Sequence, residues 1–383
     1  MILLSLASKQ IWPHVLTVAH LKPSQVVLLH SDDSAESKGP AERLKRLFDD
    51  PNSNLVPKGG TDLELIPHDD FTIISQRLDE LAAHRQLNLG DCRLNFTGGN
   101  KLMATASFRW AARRGVTAFY LERGNVLTWF EPGDGEARTR REPVNGHITD
   151  PLDPLALLRC QLEASEVERD GEILALNSRG VGKSLEDLER LLLSGISPLD
   201  FLIQKNRANQ QTAKGDHLEF ITAVYLLRNG VNGVRRSVRL KVRPAAGMKM
   251  SVPHAELDLL FNYGGRLWLV DCKDRKPAED LIGGLWPFLA NQQKRPGSPA
   301  SQLIGRIGGE LAMNQAKVLK EDLVAIREIG GLLGRSVCVR RNPLPPEVEE
   351  YAKLNGIDLI YKSALSSALP KLLGRSNRVA EKK

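Results

Sequence analysis

Two short apolar runs joined by a glycine pair carry three charged residues. Asp258 lies in the first run, Gly264-Gly265 separates the runs, and Asp271 and Lys273 end the second. A glycine pair supplies the positive φ angles of a tight hairpin turn, so we expect a β-hairpin centred on it. In that register Asp258 lies directly opposite Asp271, with Cβ atoms roughly 4.5–5.5 Å apart. Strand alternation returns Lys273 to the same face as Asp271.

Two carboxylates at this separation repel each other unless a cation lies between them. Carboxylate oxygens prefer hard ions such as Mg²⁺ or Mn²⁺, and the ammonium group of Lys273 would stand beside such an ion. The residues alone therefore predict a divalent metal site on the hairpin. The alternative is a buried ion-pair network, which would stabilise the fold little compared with an apolar replacement.

A predicted helix precedes the hairpin and carries a further acid. Residues 215–230 show the periodicity of an amphipathic helix that ends at an Asn-Gly pair. Leu218, Ile221 and Tyr225 fall on one apolar stripe, and Glu219 lies beside it. A lone glutamate on such a helix commonly faces solvent. Glu219 is a candidate site residue only because it precedes the two hairpin acids in the chain.

This order, an acid on a helix, an acid on a strand and an acid-x-lysine on the next strand, resembles the core of the PD-(D/E)XK nucleases. The resemblance implies metal-dependent hydrolysis of phosphodiester bonds. It assigns catalytic and metal-binding roles to one set of residues, namely Glu219, Asp258, Asp271 and Lys273, with the backbone carbonyl of Cys272 as a further metal ligand. The substrate stays open between DNA, as nicked duplex or single strand, and RNA, because such a site contacts phosphate.

The first part of the chain alternates strands and helices, which predicts a parallel, doubly wound sheet within an α/β fold. The predicted strands are Ile2–Leu6, Val26–His30, Leu63–Ile66, Arg93–Phe96 and Thr117–Leu121. The predicted helices are Gln10–Leu21, Ala41–Asp49, Phe71–Arg85 and Lys101–Arg114. In such sheets ligands bind beyond the carboxyl ends of the strands.

Two loops with ligand-binding chemistry lie at those ends. Ser8, Lys9 and Gln10 follow the first strand, and the segment Thr97-Gly98-Gly99-Asn100-Lys101 follows the fourth. Glycines allow a ligand to approach the backbone, and the start of the next helix offers N–H groups to phosphate. Thr97, Asn100 and Lys101 add donors. The alternative is an ordinary tight turn between a strand and a helix.

These loops resemble the ligand loops of CARF domains, the Rossmann-like sensors of type III CRISPR defence. The resemblance rests on Asn95-Phe96-Thr97-Gly98-Gly99-Asn100-Lys101 and on Ser8-Lys9-Gln10-Ile11-Trp12-Pro13-His14. It implies a homodimer that binds one cyclic oligoadenylate, foremost cyclic tetra-adenylate, across the dimer axis through both loops. Together the two resemblances indicate a CRISPR-ancillary nuclease that a cyclic oligoadenylate activates.

The predicted domain organisation follows from these motifs and from the prolines of Asp150–Pro154. Residues 1–150 form the CARF domain, with a Rossmann-like fold. Residues 151–205 form a connector with helical segments, clearest at Leu185–Leu193. Residues 206–372 form the PD-(D/E)XK domain, with a mixed sheet, and the basic residues 373–383 form a disordered tail.

Composition sets broad limits on the function. The chain has 383 residues, 42% of them hydrophobic, and a net charge of +7 that permits a nucleic-acid partner. Its four cysteines are scattered, without a CxxC pair, as in a reducing cytoplasm. No apolar run approaches the roughly 20 residues of a membrane span, so we expect a cytoplasmic protein. Two other hypotheses stay open: a non-enzymatic sensor that binds nucleic acid, and a repair or restriction nuclease with an unrelated Rossmann-like accessory domain.

Overall fold

The protein folds into two seven-stranded mixed sheets with helices packed on them. The structure, a computed structural model, describes residues 1–133, 138–162, 167–174, 218–219, 221–227, 229–231, 233–241, 254–273, 334–341, 344 and 346–378. The predicted helix at Leu185–Leu193 lies outside this range. The prediction of a mixed α/β fold is confirmed.

The first sheet contains strands β1 (Ile2–Leu6), β2 (Gln25–His30), β3 (Thr61–Leu65), β4 (Cys92–Asn95), β5 (Thr117–Glu122), β6 (Val126–Glu131) and β7 (Arg138–Pro143). Four helices alternate with its first five strands: α1 (Trp12–Leu21), α2 (Gly39–Phe48), α3 (Phe71–His84) and α4 (Lys101–Arg113). The strand order is β3-β2-β1-β4-β5-β6-β7. The first five strands are parallel, as predicted, and β6 and β7 add an antiparallel ribbon.

Both faces of the first sheet are covered. Helices α1 and α2 pack with Leu3, Val26 and Leu28 on one face. Helices α3 and α4 pack with Leu4 and Leu94 on the other. Because successive strand residues point to opposite faces, strands buried on both sides need continuous apolar runs, and these runs are what made the strands predictable. The predicted bounds of these nine elements agree with the structure to within two residues.

The second sheet follows α5 (Pro154–Gln161) and contains β8 (Val167–Arg169), β9 (Glu172–Leu174), β10 (Val234–Lys241), β11 (His254–Asn262), β12 (Leu267–Lys273), β13 (Arg335–Arg340) and β14 (Ile357–Tyr361). Its order is β14-β13-β12-β11-β10-β8, with β9 also paired to β10. Strands β12, β13 and β14 are parallel and the remaining pairs antiparallel. Helical residues 218–219 and 221–227 (α6), α7 (Pro346–Leu354) and α8 (Leu365–Arg378) accompany it.

The two sheets share one hydrophobic core through α5. Leu155 and Leu158 of α5 are buried together with Leu257 and Leu269 of the second sheet, and with residues of α2 in the first. The turn between β11 and β12 also touches the first part of the chain: the N–H of Gly264 donates to Asp150 Oδ1 at 2.7 Å. The hairpin that carries the acids is therefore attached to both halves of the molecule.

The structure contains elements that the sequence did not predict. Strands β6 and β7 precede the predicted boundary at Asp150–Pro154, and the predicted connector contains strands β8 and β9 as well as helix α5. Helix α8 extends to Arg378, beyond the predicted domain boundary at residue 372. Leu369, Leu372 and Leu373 of this helix are buried in a hydrophobic cluster with residues of the second sheet.

Candidate functional site

The two candidate ligand loops lie side by side at the carboxyl edge of the first sheet. Strands β1 and β4 are paired neighbours, so the loops that follow them meet at that edge. A Cβ added to Gly98 would lie 2.0 Å from the carbonyl oxygen of Leu6, because the second loop passes directly over the end of β1. Gly98 is thus required by close backbone approach, and Gly99 by a φ of +75°.

A buried polar network supports the second loop from below. Asn95 Oδ1 accepts the N–H of Thr97 at 3.0 Å, and Asn95 Nδ2 donates to Ser5 Oγ at 3.1 Å. Ser5 Oγ lies 2.9 Å from Nδ1 of His14. Nε2 of His14 has no hydrogen-bond partner among the described residues and would lie 3.1 Å from a Cβ at Gly98. Burial lowers the pKa of His14 to about 4, so the ring is neutral at physiological pH.

The exposed donors of the loops differ in their availability. Lys9 is paired with Glu36 at 2.8 Å, and both side chains are more than half exposed. Asn100 is committed to the fold: its Oδ1 caps α4 by accepting the N–H of Met103 at 2.8 Å, and its Nδ2 donates to the carbonyl of His68 at 2.9 Å. Lys101 is exposed at the first turn of α4. A phosphate at this edge would meet Lys101 and the N-terminus of α4.

The acid-bearing hairpin has the predicted register. Leu259 pairs with Val270 and Asn262 with Leu267, a register that places Asp258 opposite Asp271. The hydrogen-bonded ladder ends one pair before these acids. On the other side, the ladder between β10 and β11 skips Ser237, whose φ is +56°.

The interrupted ladder explains what Asp258 binds. Its Oδ2 accepts the N–H of Cys272 at 2.5 Å, replacing a carbonyl of β11. The N–H and carbonyl of one strand residue point to the same side, so the Cys272 carbonyl also faces β11. This orientation suits the role of metal ligand that the sequence predicted for it.

The charged side chains of the hairpin differ in burial, since Asp258 is half-buried and the side chain of Lys273 is 42% exposed. Asp271 is 4% exposed, and its Oδ1 lies 2.8 Å from Nζ of Lys273. Burial, and then the negative charge of Asp271, raises the pKa of Asp258 to about 7, although Lys273 opposes the rise. The two aspartates therefore repel each other in this structure, and Lys273 relieves the repulsion only in part.

The helix acid lies close to the same point. Thr222 of α6 contacts the Cys272 thiol, with Oγ1 and Sγ 4.0 Å apart, and Glu219 is one helical turn before Thr222. Burial raises the pKa of Cys272, and so do the charges of Asp258, Glu219 and Asp271. All three predicted acids thus act electrostatically on one residue. Glu219 Oε2 also lies 3.6 Å from Arg236 Nη1.

The donor set fits a divalent cation. The buried carboxylate of Asp271 and the half-buried carboxylate of Asp258 supply hard oxygen ligands and a negative potential, as Mg²⁺ or Mn²⁺ requires. Within the described residues, no three His, Cys, Asp or Glu side chains are gathered closely enough to hold a metal by themselves. Asp258 and Asp271 form a pair, and further ligands would come from the Cys272 carbonyl or from Glu219.

The sequence alone did not predict the buried polar network beneath the Thr97–Lys101 loop, nor the contact of Thr222 with Cys272. Ser5 gives a visible signal, because it is a polar residue in an otherwise apolar central strand, and Asn95 is a second buried polar residue on the neighbouring strand. His14 gives none, since its partner is set only by the packing of α1 on the sheet.

The fold and the two candidate sites define a class: a mixed α/β protein with two candidate ligand loops at the carboxyl edge of one sheet and an acid–lysine cluster on the other. No protein-family model matches the sequence, and no curated protein matches it. No helix in the described residues is long and apolar enough to cross a membrane.

Two solved structures share the whole fold. One is Can2 from Sulfobacillus thermosulfidooxidans in complex with cyclic tetra-adenylate, with a TM-score of 0.58 and 16% identity over 97% of this chain and 99% of that chain. The other is protein VC1899 from Vibrio cholerae, with a TM-score of 0.59 and 14% identity over 98% of both chains. At these identities the likeness establishes the architecture, and function must be argued from the sites.

Proposed function

We propose that this protein is a metal-dependent nuclease activated by a cyclic oligoadenylate, foremost cyclic tetra-adenylate, in type III CRISPR defence. In this proposal the first sheet belongs to a CARF domain and the second to a PD-(D/E)XK nuclease domain, and the active form is a homodimer. The observation that carries it is the pair formed by the half-buried Asp258 and the buried Asp271 on adjacent strands, with Lys273 at 2.8 Å from Asp271.

The ligand part of the proposal is supported by the paired loops and by the shared architecture with Can2, which was solved with cyclic tetra-adenylate. A cyclic oligoadenylate presents phosphates and adenine rings. Lys101, the start of α4 and the glycine backbone offer donors to phosphate, and Lys9 joins them once its pair with Glu36 opens.

The nuclease part rests on what each residue at the hairpin would do. Asp258, Asp271 and the Cys272 carbonyl would hold Mg²⁺ or Mn²⁺, and Glu219 would approach from α6. Bound there, such an ion lowers the pKa of water and neutralises charge that builds on the phosphate. Lys273, with its side chain 42% exposed, is positioned to offset phosphate charge and to orient water.

The test measures cleavage of labelled RNA, single-stranded DNA and supercoiled plasmid in Mg²⁺ and in Mn²⁺. Each substrate is incubated with and without each cyclic oligoadenylate. We expect cleavage that requires cyclic tetra-adenylate and falls at least about 100-fold in Asp271→Asn. Glu350→Gln is the matched control, since Glu350 is an exposed acid on α7, away from the hairpin. It should keep wild-type activity.

The outcomes separate the alternatives. Cleavage that survives Asp271→Asn together with Lys273→Ala would refute the active site. Cleavage that ignores every cyclic oligoadenylate, with no ligand binding, would favour a repair or restriction nuclease. Ligand binding that Lys101→Ala leaves unaffected would refute the CARF assignment. Binding of ligand and nucleic acid without cleavage would indicate a non-enzymatic sensor.

A further inference from the structure

A cavity of about 440 Å³ opens at the end of the second sheet opposite the acid cluster. It lies where β12, β13 and β14 begin, whereas the acids lie toward the other end of β12. At about 3.3 Å per residue, these two ends of β12 are about 20 Å apart. The cavity is therefore a separate feature of the molecule. Its charged lining residues are Arg266, Arg335, Lys353, Glu349 and Asp358.

Both carboxylates of the cavity are already engaged. Asp358 Oδ2 accepts from Nε of Arg335 at 2.8 Å, and Glu349 accepts a hydrogen bond from the hydroxyl of Tyr361. Arg335 is also fixed by stacking, with its guanidinium carbon 5.1 Å from the ring centre of Trp268. The lining is thus organised by internal pairing, and its three cations exceed its two anions by one positive charge.

This pairing leaves two cations of the lining, Arg266 and Lys353, without an anion, and Arg266 is the less exposed of the two. Its guanidinium makes no hydrogen bond or ion pair with another described residue. Burial lowers the pKa of Arg266, and the positive charge of Arg335 lowers it further, while Asp358 offsets only part. A half-buried guanidinium offers up to five donors and is costly to hold beside a second guanidinium without an anion between them.

We propose that this cavity binds a phosphate group, held by Arg266 and Lys353 with Arg335 as the fixed wall. Guanidinium groups match phosphate oxygens with paired hydrogen bonds. The volume lies within the roughly 300–1,000 Å³ of small-molecule pockets, so a nucleotide monophosphate or the terminal phosphate of a nucleic acid fits. Both share a dianionic phosphoryl group. The site does not depend on the proposed nuclease activity, because none of its residues belongs to the acid cluster or to the ligand loops.

The experiment is isothermal titration calorimetry of the full chain in EDTA at constant ionic strength. The probes are inorganic phosphate, adenosine 5′-monophosphate, and a DNA dodecamer with either a 5′-phosphate or a 5′-hydroxyl end. A Lys101→Ala background removes the candidate phosphate contact of the first sheet. In that background we compare Arg266→Gln and Lys353→Gln with Lys371→Gln, an exposed lysine of α8 outside the cavity.

We expect phosphate binding that weakens about 10-fold or more in Arg266→Gln and in Lys353→Gln, because each removes charge-assisted hydrogen bonds. Lys371→Gln should keep the parent affinity. A preference for the 5′-phosphorylated dodecamer identifies a nucleic-acid end as the source, and a response confined to the small probes identifies a free phosphate. Absence of phosphate binding, or binding that both cavity variants leave unchanged, overturns the proposal. Since the assay contains neither divalent metal nor cyclic oligoadenylate, that failure leaves the proposed nuclease function standing.

Discussion

We expect the first part of the chain to lose stability as the pH falls from about 7.5 to about 5, because His14 cannot take up a proton while folded. Burial lowers the pKa of His14 to about 4, and the residue is 0% exposed. An unfolded chain has the ordinary histidine pKa of about 6.5. Between these two values the unfolded state binds a proton that the folded state does not. Stability is therefore unchanged above about pH 6.5 and decreases as the pH falls toward 4.

The size of this loss follows from the two pKa values. Folding lowers the pKa by about 2.5, and at 1.36 kcal/mol per pKa unit the full effect is about 3.4 kcal/mol below pH 4. At pH 5 the linkage relation gives about 2 kcal/mol. A loss of this size is a large fraction of the stability of an ordinary domain.

The assay is urea unfolding at both pH values, followed by tryptophan fluorescence, which reports on the fully buried Trp110. His14→Gln removes the titrating ring and keeps a polar side chain of similar length, so the pH-dependent loss should shrink by about 2 kcal/mol. His84→Gln is the matched control, because His84 is exposed on α3 and should leave the loss unchanged. Equal pH dependence in the wild type and in His14→Gln would refute the reasoning.

Three further perturbations follow from the structure. Gly98→Ala places a Cβ 2.0 Å from the Leu6 carbonyl oxygen, so we expect destabilisation of about 1–3 kcal/mol and weaker cyclic tetra-adenylate binding, measured by unfolding and calorimetry. Glu36→Gln releases Lys9 from an exposed pair worth at most about 1 kcal/mol, so calorimetry should show ligand affinity rising by up to about 5-fold. Asp150→Ala removes the acceptor of the hairpin turn, so cyclic tetra-adenylate should bind as before but stimulate less cleavage over the unliganded rate.

The first two of these predictions have a control variant, and all three have a contradicting result. Gly374→Ala on α8 adds a methyl group in open space and should be neutral or stabilise the fold by up to about 1 kcal/mol. Glu350→Gln removes an exposed acid from α7 and should leave ligand affinity unchanged. If Gly98→Ala behaves like Gly374→Ala, the backbone approach at Gly98 is not what constrains the loop. If Glu36→Gln weakens ligand binding, Glu36 does not compete with the ligand for Lys9. If Asp150→Ala keeps full stimulation, the contact of Asp150 with the hairpin turn does not transmit the effect of the ligand.

The elements that the sequence predicted well are those that local physics determines. The register of the acid hairpin follows from Gly264-Gly265 alone, because a tight turn sets which residues face each other. The elements of the first sheet follow from apolar periodicity, which burial on both faces enforces. The missed strand β7 has no such signal: it is an exposed edge strand with the sequence Arg-Thr-Arg-Arg-Glu-Pro, so no apolar alternation marks it.

The site residues likewise divide into those that local sequence predicts and those whose contacts depend on the folded chain. Residue type and spacing were enough to propose Asp258, Asp271 and Lys273, because they lie on one hairpin. The commitment of Asp258 to a backbone N–H depends on where the ladder stops, which no local pattern records. Asn100 was predicted as a ligand contact, but its amide donates to a carbonyl 32 residues away, a contact that only the folded chain creates.

Because Gly264 contacts Asp150, the turn of the acid hairpin is held at one end, and a small rotation there is amplified along the strand to Asp271. A Cβ on Gly265 would lie 2.9 Å from the Cα of Gly146, so the turn has almost no freedom to slide against the first half of the molecule. From that turn to Asp271 the strand runs about 20 Å, and a tilt of about 5° at the turn would displace the acid by about 1.7 Å. A misplacement of about 1 Å at a reacting centre can cost about 100-fold in rate. In the proposed nuclease, a tilt of the turn at Gly264 and Gly265 that is too small to alter the fold is therefore enough to change the activity of the acid cluster.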